Sequence, residues 1–94
     1  MDEKMASKSD ILDTILLLNL MKFRGYSFST IARDIRISVN TLYYLRSTGC
    51  AGDRTCFYIQ EKIKEVYPED YKFIMEKYGK NFIRRNENNA ILYN

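Results

Sequence analysis

The chain has 94 residues, of which 46% are hydrophobic and 14% aromatic, with a single proline and four glycines. This composition excludes a disordered chain, because disordered segments carry few aromatic residues, and it leaves little room for a turn-rich all-β architecture. The net charge of +3 is too small to identify a partner. A chain of this size buries a modest fraction of its surface, so we expect one domain that dimerises.

Five helices and no strand are predicted in chain order. The first begins near Ser9 or Asp10, which are good N-cap residues, and runs to about Arg24, where Gly25 ends it. Its apolar residues are too many for one stripe, as expected of a helix that packs on two sides. They are Ile11, Leu12, Ile15, Leu16, Leu17, Leu18, Leu20 and Met21.

The second and third predicted helices are short and follow each other closely. The second begins at Ser27 or Ser29 and extends to about Ile35, and the third has Ser38 as its N-cap and ends before Gly49. The residues expected to face inward are Phe28, Ile31, Ala32, Ile35, Val39, Leu42 and Leu45.

The fourth and fifth predicted helices, 54–67 and 69–78, are separated at Tyr67-Pro68, because the residue before a proline is driven out of the helical region. Asp53 is the expected N-cap of the fourth helix, and Gly79 closes the fifth. The expected apolar positions are Phe57, Ile59, Ile63 and Val66, then Tyr71, Ile74, Met75 and Tyr78. The last four belong to the core or form a dimer seam.

Residues 28–47 have the spacing of a helix-turn-helix, in which two short helices meet at a steep angle through a tight turn. Ala32 takes the position of closest approach, and the apolar positions are filled by Ile31, Ile35, Ile37, Leu42 and Leu45. The one departure is Arg36 in the turn, where glycine is usual. A bulky residue in the left-handed region costs roughly 1 kcal/mol. An αα-hairpin within a helical bundle is the alternative interpretation.

Positive charge is concentrated on this motif. Residues 22–54 carry six basic and two acidic residues, whereas residues 1–21 carry two basic and four acidic ones. The excess lies on the segment expected to meet phosphate.

Residues 11–78 resemble the DNA-binding unit of the lambda-repressor-like family, which comprises small phage and plasmid repressors and Cro-type proteins. The likeness consists of a leading helix, the motif and two closing helices with the corner YPEDY at 67–71. It implies a phage or mobile-element transcription regulator that binds a palindromic operator in double-stranded DNA as a homodimer. The motif also fits resolvase-type, sigma-like and small-terminase versions.

The resemblance implies six base-reading residues at the exposed start of the third helix: Ser38, Val39, Asn40, Thr41, Tyr43 and Tyr44. Asn40 can pair bidentately with adenine, and Val39 or Thr41 can place a methyl group against thymine. Tyr43 is expected to face DNA and Tyr44 to flank it, since neighbours on a helix point about 100° apart. Core packing of one tyrosine is the alternative.

Phosphate contacts are predicted for Ser29 and Thr30, because free amide groups at a helix N-terminus favour anions. Arg33, Arg36 and Arg46 are predicted to add salt-dependent contacts to the DNA backbone. For each arginine, the alternative is a solvated surface position.

The predicted fold is therefore all-α, a compact bundle of about five helices that contains a helix-turn-helix and carries a short polar C-terminal tail. We expect the DNA-binding domain to span 1–79 and the Asn-rich tail to span 80–94, where the apolar segment 90–93 can dock or dimerise. The basic residues of the tail either contact DNA or keep the tail soluble; they are Lys80, Arg84 and Arg85.

No enzyme activity, cofactor or metal site is predicted, since the chain has no histidine, no Gly-rich phosphate loop and no nucleophile motif. Cys50 and Cys56 are too few for structural zinc and are expected to be free thiols, with a disulfide or redox switch as the alternative. No apolar run reaches about 18 residues, and the acidic N-terminus is unlike a secretory signal, so no membrane contact and a cytoplasmic location are expected.

Two other functions remain open. A protein-binding inhibitor or antirepressor that uses the same fold is suggested by the modest net charge and eight tyrosines. A small viral DNA-packaging or replication subunit would use the motif in an oligomeric ring.

Overall fold

Helices account for most of the structure, a computed structural model that describes residues 4–83. Within this range α1 to α5 span Lys8–Phe23, Phe28–Ile35, Val39–Thr48, Asp53–Val66 and Pro68–Tyr78, and a 3-10 turn spans Gly79–Asn81. The all-α prediction is confirmed. None of these helices combines the length and apolarity needed to cross a bilayer. The predictions for Arg84, Arg85 and the segment 90–93 lie outside the described residues.

Serine side chains begin the first three helices. Ser38 is the N-cap of α3, as predicted, and Ser27, one of the two predicted starts of the second helix, is the N-cap of α2. Helix α1 begins earlier than predicted because its N-cap is Ser7 rather than Ser9 or Asp10. The Ser7 hydroxyl oxygen accepts a hydrogen bond of 3.2 Å from the backbone N–H of Asp10.

The starts of α4 and α5 also differ from prediction by one residue. Gly52 is the N-cap of α4, so Asp53 is its first helical residue; there the carboxylate still favours the positive end of the helix dipole. Pro68 is the first residue of α5, a position where its missing N–H leaves no hydrogen bond unmade.

The core is formed where one face of each helix meets the others. Its buried apolar residues include Ile11, Leu17, Leu18, Met21, Phe28, Ile31, Ala32, Ile35, Leu42, Leu45, Cys56, Ile59, Ile63, Ile74 and Phe82. The prediction that Leu12, Phe57 and Val66 face inward is wrong, because all three are exposed. The inward stripe of α4 runs through Cys56, Ile59 and Ile63, so Phe57 is turned about 100° away from it.

Two polar residues of α1 are buried, which apolar periodicity could not indicate. Thr14 donates to the carbonyl of Asp10 at 2.7 Å and accepts from the Gln60 amide nitrogen at 2.7 Å. The Asp13 carboxylate accepts the backbone N–H of Ile83 at 2.7 Å. These bonds tie α4 and the end of the described chain to α1.

The arrangement of α2 and α3 is compatible with a helix-turn-helix. All pattern positions on the two helices are buried, and Ile37 between them packs against the core. Arg36 adopts φ 60° and ψ 55° and is the one non-glycine residue of 4–83 with positive φ. The Ile37 N–H then donates to the Ala32 carbonyl at 2.9 Å, which closes α2 and turns the chain into α3.

Because arginine is strained in this conformation, we expect Arg36→Gly to raise the free energy of unfolding by up to about 1 kcal/mol. Arg36→Ala removes the same charge but keeps the strain, so its stability should match the parent chain. Urea unfolding of the three proteins makes the comparison. Equal stabilities of the glycine and alanine variants would contradict the assignment of strain to Arg36.

Candidate nucleic-acid interface

The face of α3 opposite its buried Leu42 and Leu45 is open to solvent. Tyr43 is 43% exposed and Tyr44 is 60% exposed, so neither tyrosine is a core residue. Asn40 precedes them by three and four positions and is also exposed. The three side chains therefore share one outward surface, as helical spacing requires.

The other three predicted base-reading residues have additional roles. The Ser38 hydroxyl oxygen accepts the Asn40 backbone N–H at 3.2 Å and so caps α3. Val39 is half-buried and packs against the core, while Thr41 is half-buried. Of the predicted set, the open face thus presents chiefly Asn40, Tyr43 and Tyr44.

Ser47 joins this face and was not predicted as a site residue. It is exposed, and its hydroxyl donates to the Tyr44 carbonyl at 3.4 Å. The signal was present in the sequence, because Ser47 lies one turn after Tyr43 and Tyr44 and seven positions after Asn40.

Two cations and two aromatic rings meet at the end of α3, and we call this group the Phe28 cluster: Lys22, Phe28, Tyr43 and Arg46. The rings of Phe28 and Tyr43 lie 5.3 Å apart between centroids. The Arg46 guanidinium carbon lies 4.8 Å and the Lys22 amine 5.6 Å from the centroid of Phe28. Both are cation–π distances, which orient the charges beside the aromatic surface.

Neither cation of the Phe28 cluster forms an ion pair with a carboxylate of residues 4–83. The two positive groups lie against the same ring, so the cluster forms a local region of positive charge. Lys22 is a residue that sequence analysis did not assign to the site. Its approach to Phe28 depends on the angle between α1 and α2 at the connection 24–27, which helical spacing does not report.

A second positive region lies at the other end of α2. Arg33 and Arg36 are exposed there, and Ser29, one turn before Arg33 at the start of the helix, is also exposed. Arg33 is held 3.2 Å from the Asp34 carboxylate by its Nε, so part of its charge is balanced. Arg36 lies eight residues after Phe28, which places it about 12 Å along the helix from the Phe28 cluster.

The prediction of a free amide at Thr30 is wrong. Its backbone N–H donates to the Ser27 hydroxyl oxygen at 3.1 Å, and the two hydroxyl oxygens lie 2.9 Å apart. This N-cap satisfies the amide internally. Of the predicted pair, Ser29 is the residue with an exposed side chain at the start of α2.

Hydrogen bonds hold the end of α2 against the corner between α4 and α5. The Tyr67 hydroxyl donates to the Asp34 carboxylate, and the Tyr58 hydroxyl donates to the Ile35 carbonyl at 2.6 Å. The bond from Tyr67 holds the pKa of Asp34 below its usual value. Burial, together with the neighbouring carboxylate, raises the pKa of Tyr67. The carboxylate thus stays charged and the phenol stays protonated across the neutral range.

A second network joins the end of α1 to the start of α5. The Asp70 carboxylate accepts hydrogen bonds from Arg24 Nε at 2.7 Å and from the Tyr26 hydroxyl at 2.6 Å. The Tyr26 and Tyr67 rings lie 4.8 Å apart, so the two networks are neighbours. Together the two networks fasten α2 and the segment before it to the corner between α4 and α5.

Cys50 and Cys56 are free thiols, and no three metal-ligating side chains come together within residues 4–83. The groups that the interface offers are the amide, phenol, hydroxyl and cationic groups described above.

Comparison of this chain with protein-family models, with curated proteins and with solved structures gave no match.

Proposed function

We propose that this protein is a repressor-like transcriptional regulator that binds double-stranded DNA sequence-specifically and reads the major groove with α3. The observation that carries the proposal is the exposed face of Asn40, Tyr43 and Tyr44, with cations near both of its ends. A recognition helix needs this combination, because base edges give specificity and phosphates give affinity.

Asn40 is the residue best suited to reading a base on this face. Its amide can donate to adenine N7 and accept from N6 at the same time. It lies at the start of α3, the part of a recognition helix that enters the groove in helix-turn-helix proteins. Tyr43 and Tyr44 add aromatic surface and hydroxyl groups beside it.

The cations around α3 suit contacts to the DNA backbone. Lys22 and Arg46 lie at the Phe28 cluster, and Arg36 lies beside the turn before α3. Positive groups on both sides of a groove-reading helix can reach both phosphate strands. We further propose a homodimer, in which two α3 helices meet successive major grooves at half-sites about 10–10.5 bp apart.

Selection of bound sequences from a random DNA library, followed by footprinting, tests the proposal directly. Asn40→Ala should lower discrimination at one base pair by about 1–3 kcal/mol. Arg36→Ala should weaken binding to all sequences alike and reduce the salt dependence by about one phosphate contact. Lys64→Ala, an exposed position on α4, serves as the control and should leave binding unchanged. Absence of retained or protected DNA at low salt would refute DNA binding.

A protein-binding inhibitor or antirepressor is the second candidate, and the exposure of Tyr43 and Tyr44 favours it. Tyrosine is enriched in protein interfaces. Such a protein would capture one stoichiometric partner with an affinity that changes little with salt. A packaging or replication subunit would instead give the mass of a ring in solution rather than that of a dimer.

A further inference from the structure

The outer face of α5 carries an exposed aromatic residue between two opposite charges. Glu69, Phe73 and Lys77 are all exposed and are spaced four residues apart, so they lie along one side of the helix. We call these three residues the Phe73 stripe. Neither Glu69 nor Lys77 is ion-paired with another residue of 4–83.

An apolar groove of about 240 Å³ borders the Phe73 stripe. It lies between α1 and α5, with Leu20, Phe23, Phe73 and Tyr78 in its walls. Phe23 is 84% exposed, more than any other large hydrophobic residue of 4–83. An apolar groove beside an exposed aromatic side chain is a surface that a partner can cover.

The charges of the Phe73 stripe identify the partner. Glu69 precedes Phe73 by four residues and Lys77 follows it by four. If a second α5 crosses in the antiparallel direction at Phe73, Glu69 of each copy lies opposite Lys77 of the other. A two-fold axis through Phe73 thus produces the same favourable pair twice, as the self-complementary surface of a symmetric dimer requires.

We propose that this chain pairs with a second copy of itself through the Phe73 stripe, with α5 against α5 in antiparallel register and the groove at Phe23 covered. The ring of Phe73 is held for this role by Arg24, whose guanidinium carbon lies 4.2 Å from its centroid. Arg24 is itself held by Asp70. The pairing surface is therefore ordered within each copy.

The pairing surface is centred on a different side of α5 from the dimer seam predicted from sequence, with which it shares Tyr78 in the wall of the groove. Of the four seam residues, Ile74 is fully buried, while Tyr71, Met75 and Tyr78 are half-buried against the core. Phe73 lies one position before Ile74 and so points about 100° away from it. The pairing face is thus the neighbouring side of the same helix.

Charge reversal tests the register. Glu69→Lys and Lys77→Glu should each weaken homodimerisation roughly tenfold or more, because each replaces two attractive pairs with two repulsive ones. An equimolar mixture of the two variants should form a heterodimer, since both cross-copy pairs are then attractive. The double variant should recover the homodimer. Sedimentation over a range of concentrations and native mass spectrometry measure all four cases.

Lys64→Glu makes the same charge change as Lys77→Glu at a position away from the stripe, and it should dimerise like the parent chain. Far-UV circular dichroism of each variant shows that it is folded, which separates loss of pairing from loss of structure. A monomeric parent chain, unaltered single variants, or a mixture that forms no heterodimer would each overturn the proposal. The inference rests on the homodimer of the proposed function, yet it is tested without DNA, so its failure leaves DNA binding standing.

Discussion

Replacement of Phe82 by alanine is expected to lower the free energy of unfolding by about 3–5 kcal/mol, the usual cost of removing a buried phenylalanine ring. Phe82 follows the 3-10 turn after α5 and is only 3% exposed. It belongs to the core although it lies in the segment predicted to be a polar tail. Because small domains are stable by only about 5–15 kcal/mol in total, this one change removes a large share of the stability.

Urea unfolding measures the effect, and Ile83→Ala is the matched control. Ile83 is exposed, and its contact with Asp13 uses the backbone N–H, which alanine retains. The control should therefore lose less than about 1 kcal/mol. A Phe82→Ala variant as stable as the control would show that residues beyond α5 do not contribute to the core.

Acidification is expected to destabilise the fold through Asp70. Burial alone raises the pKa of this carboxyl, but the hydrogen bonds from Tyr26 and Arg24 outweigh burial and hold the pKa below its usual value. A lowered pKa in the folded state means that Asp70 stabilises the fold above the unfolded-state pKa of about 3.9. This stabilisation is lost as the pH falls through the folded-state value.

Asp70→Asn should therefore cost about 1–3 kcal/mol at pH 7, because Arg24 and Tyr26 lose a charged acceptor. Between pH 5 and pH 2, the variant should lose less stability than the parent chain. The loss that remains in the variant includes the contribution of Asp34, whose pKa is also lowered. Urea unfolding at each pH measures this slope, with Glu76→Gln as an exposed carboxyl control on α5. Parallel pH profiles for the parent and Asp70→Asn would contradict the assignment.

Tyr26 gives the opposite dependence at high pH. Its hydrogen bond to Asp70 raises the pKa of the phenol, so the stabilisation is present below about pH 10 and is lost as the pH rises further. The same network thus limits the stability of the domain at both ends of the pH range.

The sequence predicts the features that depend on neighbouring residues. Ser27 and Ser38 act within one turn of their helices, and the apolar spacing through Ile31 and Leu45 repeats at short intervals. The left-handed turn at Arg36 could be located because the pattern demands such a conformation at one position. Local rules therefore recovered the fold class and the helices of the motif.

The missed features depend on how distant elements pack. Lys22 reaches Phe28 because of the angle at which the short connection 24–27 joins α1 to α2, and Tyr67 reaches Asp34 because α4 ends beside α2. Phe57 shows a different difficulty, because an apolar residue one position from a buried stripe is turned outward. Thr30 could not be recognised as satisfied until Ser27 was known to be the N-cap.

The hydroxyl of Tyr67 also has a mechanical consequence. It anchors the end of α2 at the point where α4 passes into α5, and so it restrains hinge motion between α5 and the motif. In the proposed dimer joined through α5, the distance between the two α3 helices would therefore vary little. DNA with half-sites moved apart by even one base pair would then have to twist or bend to fit the protein.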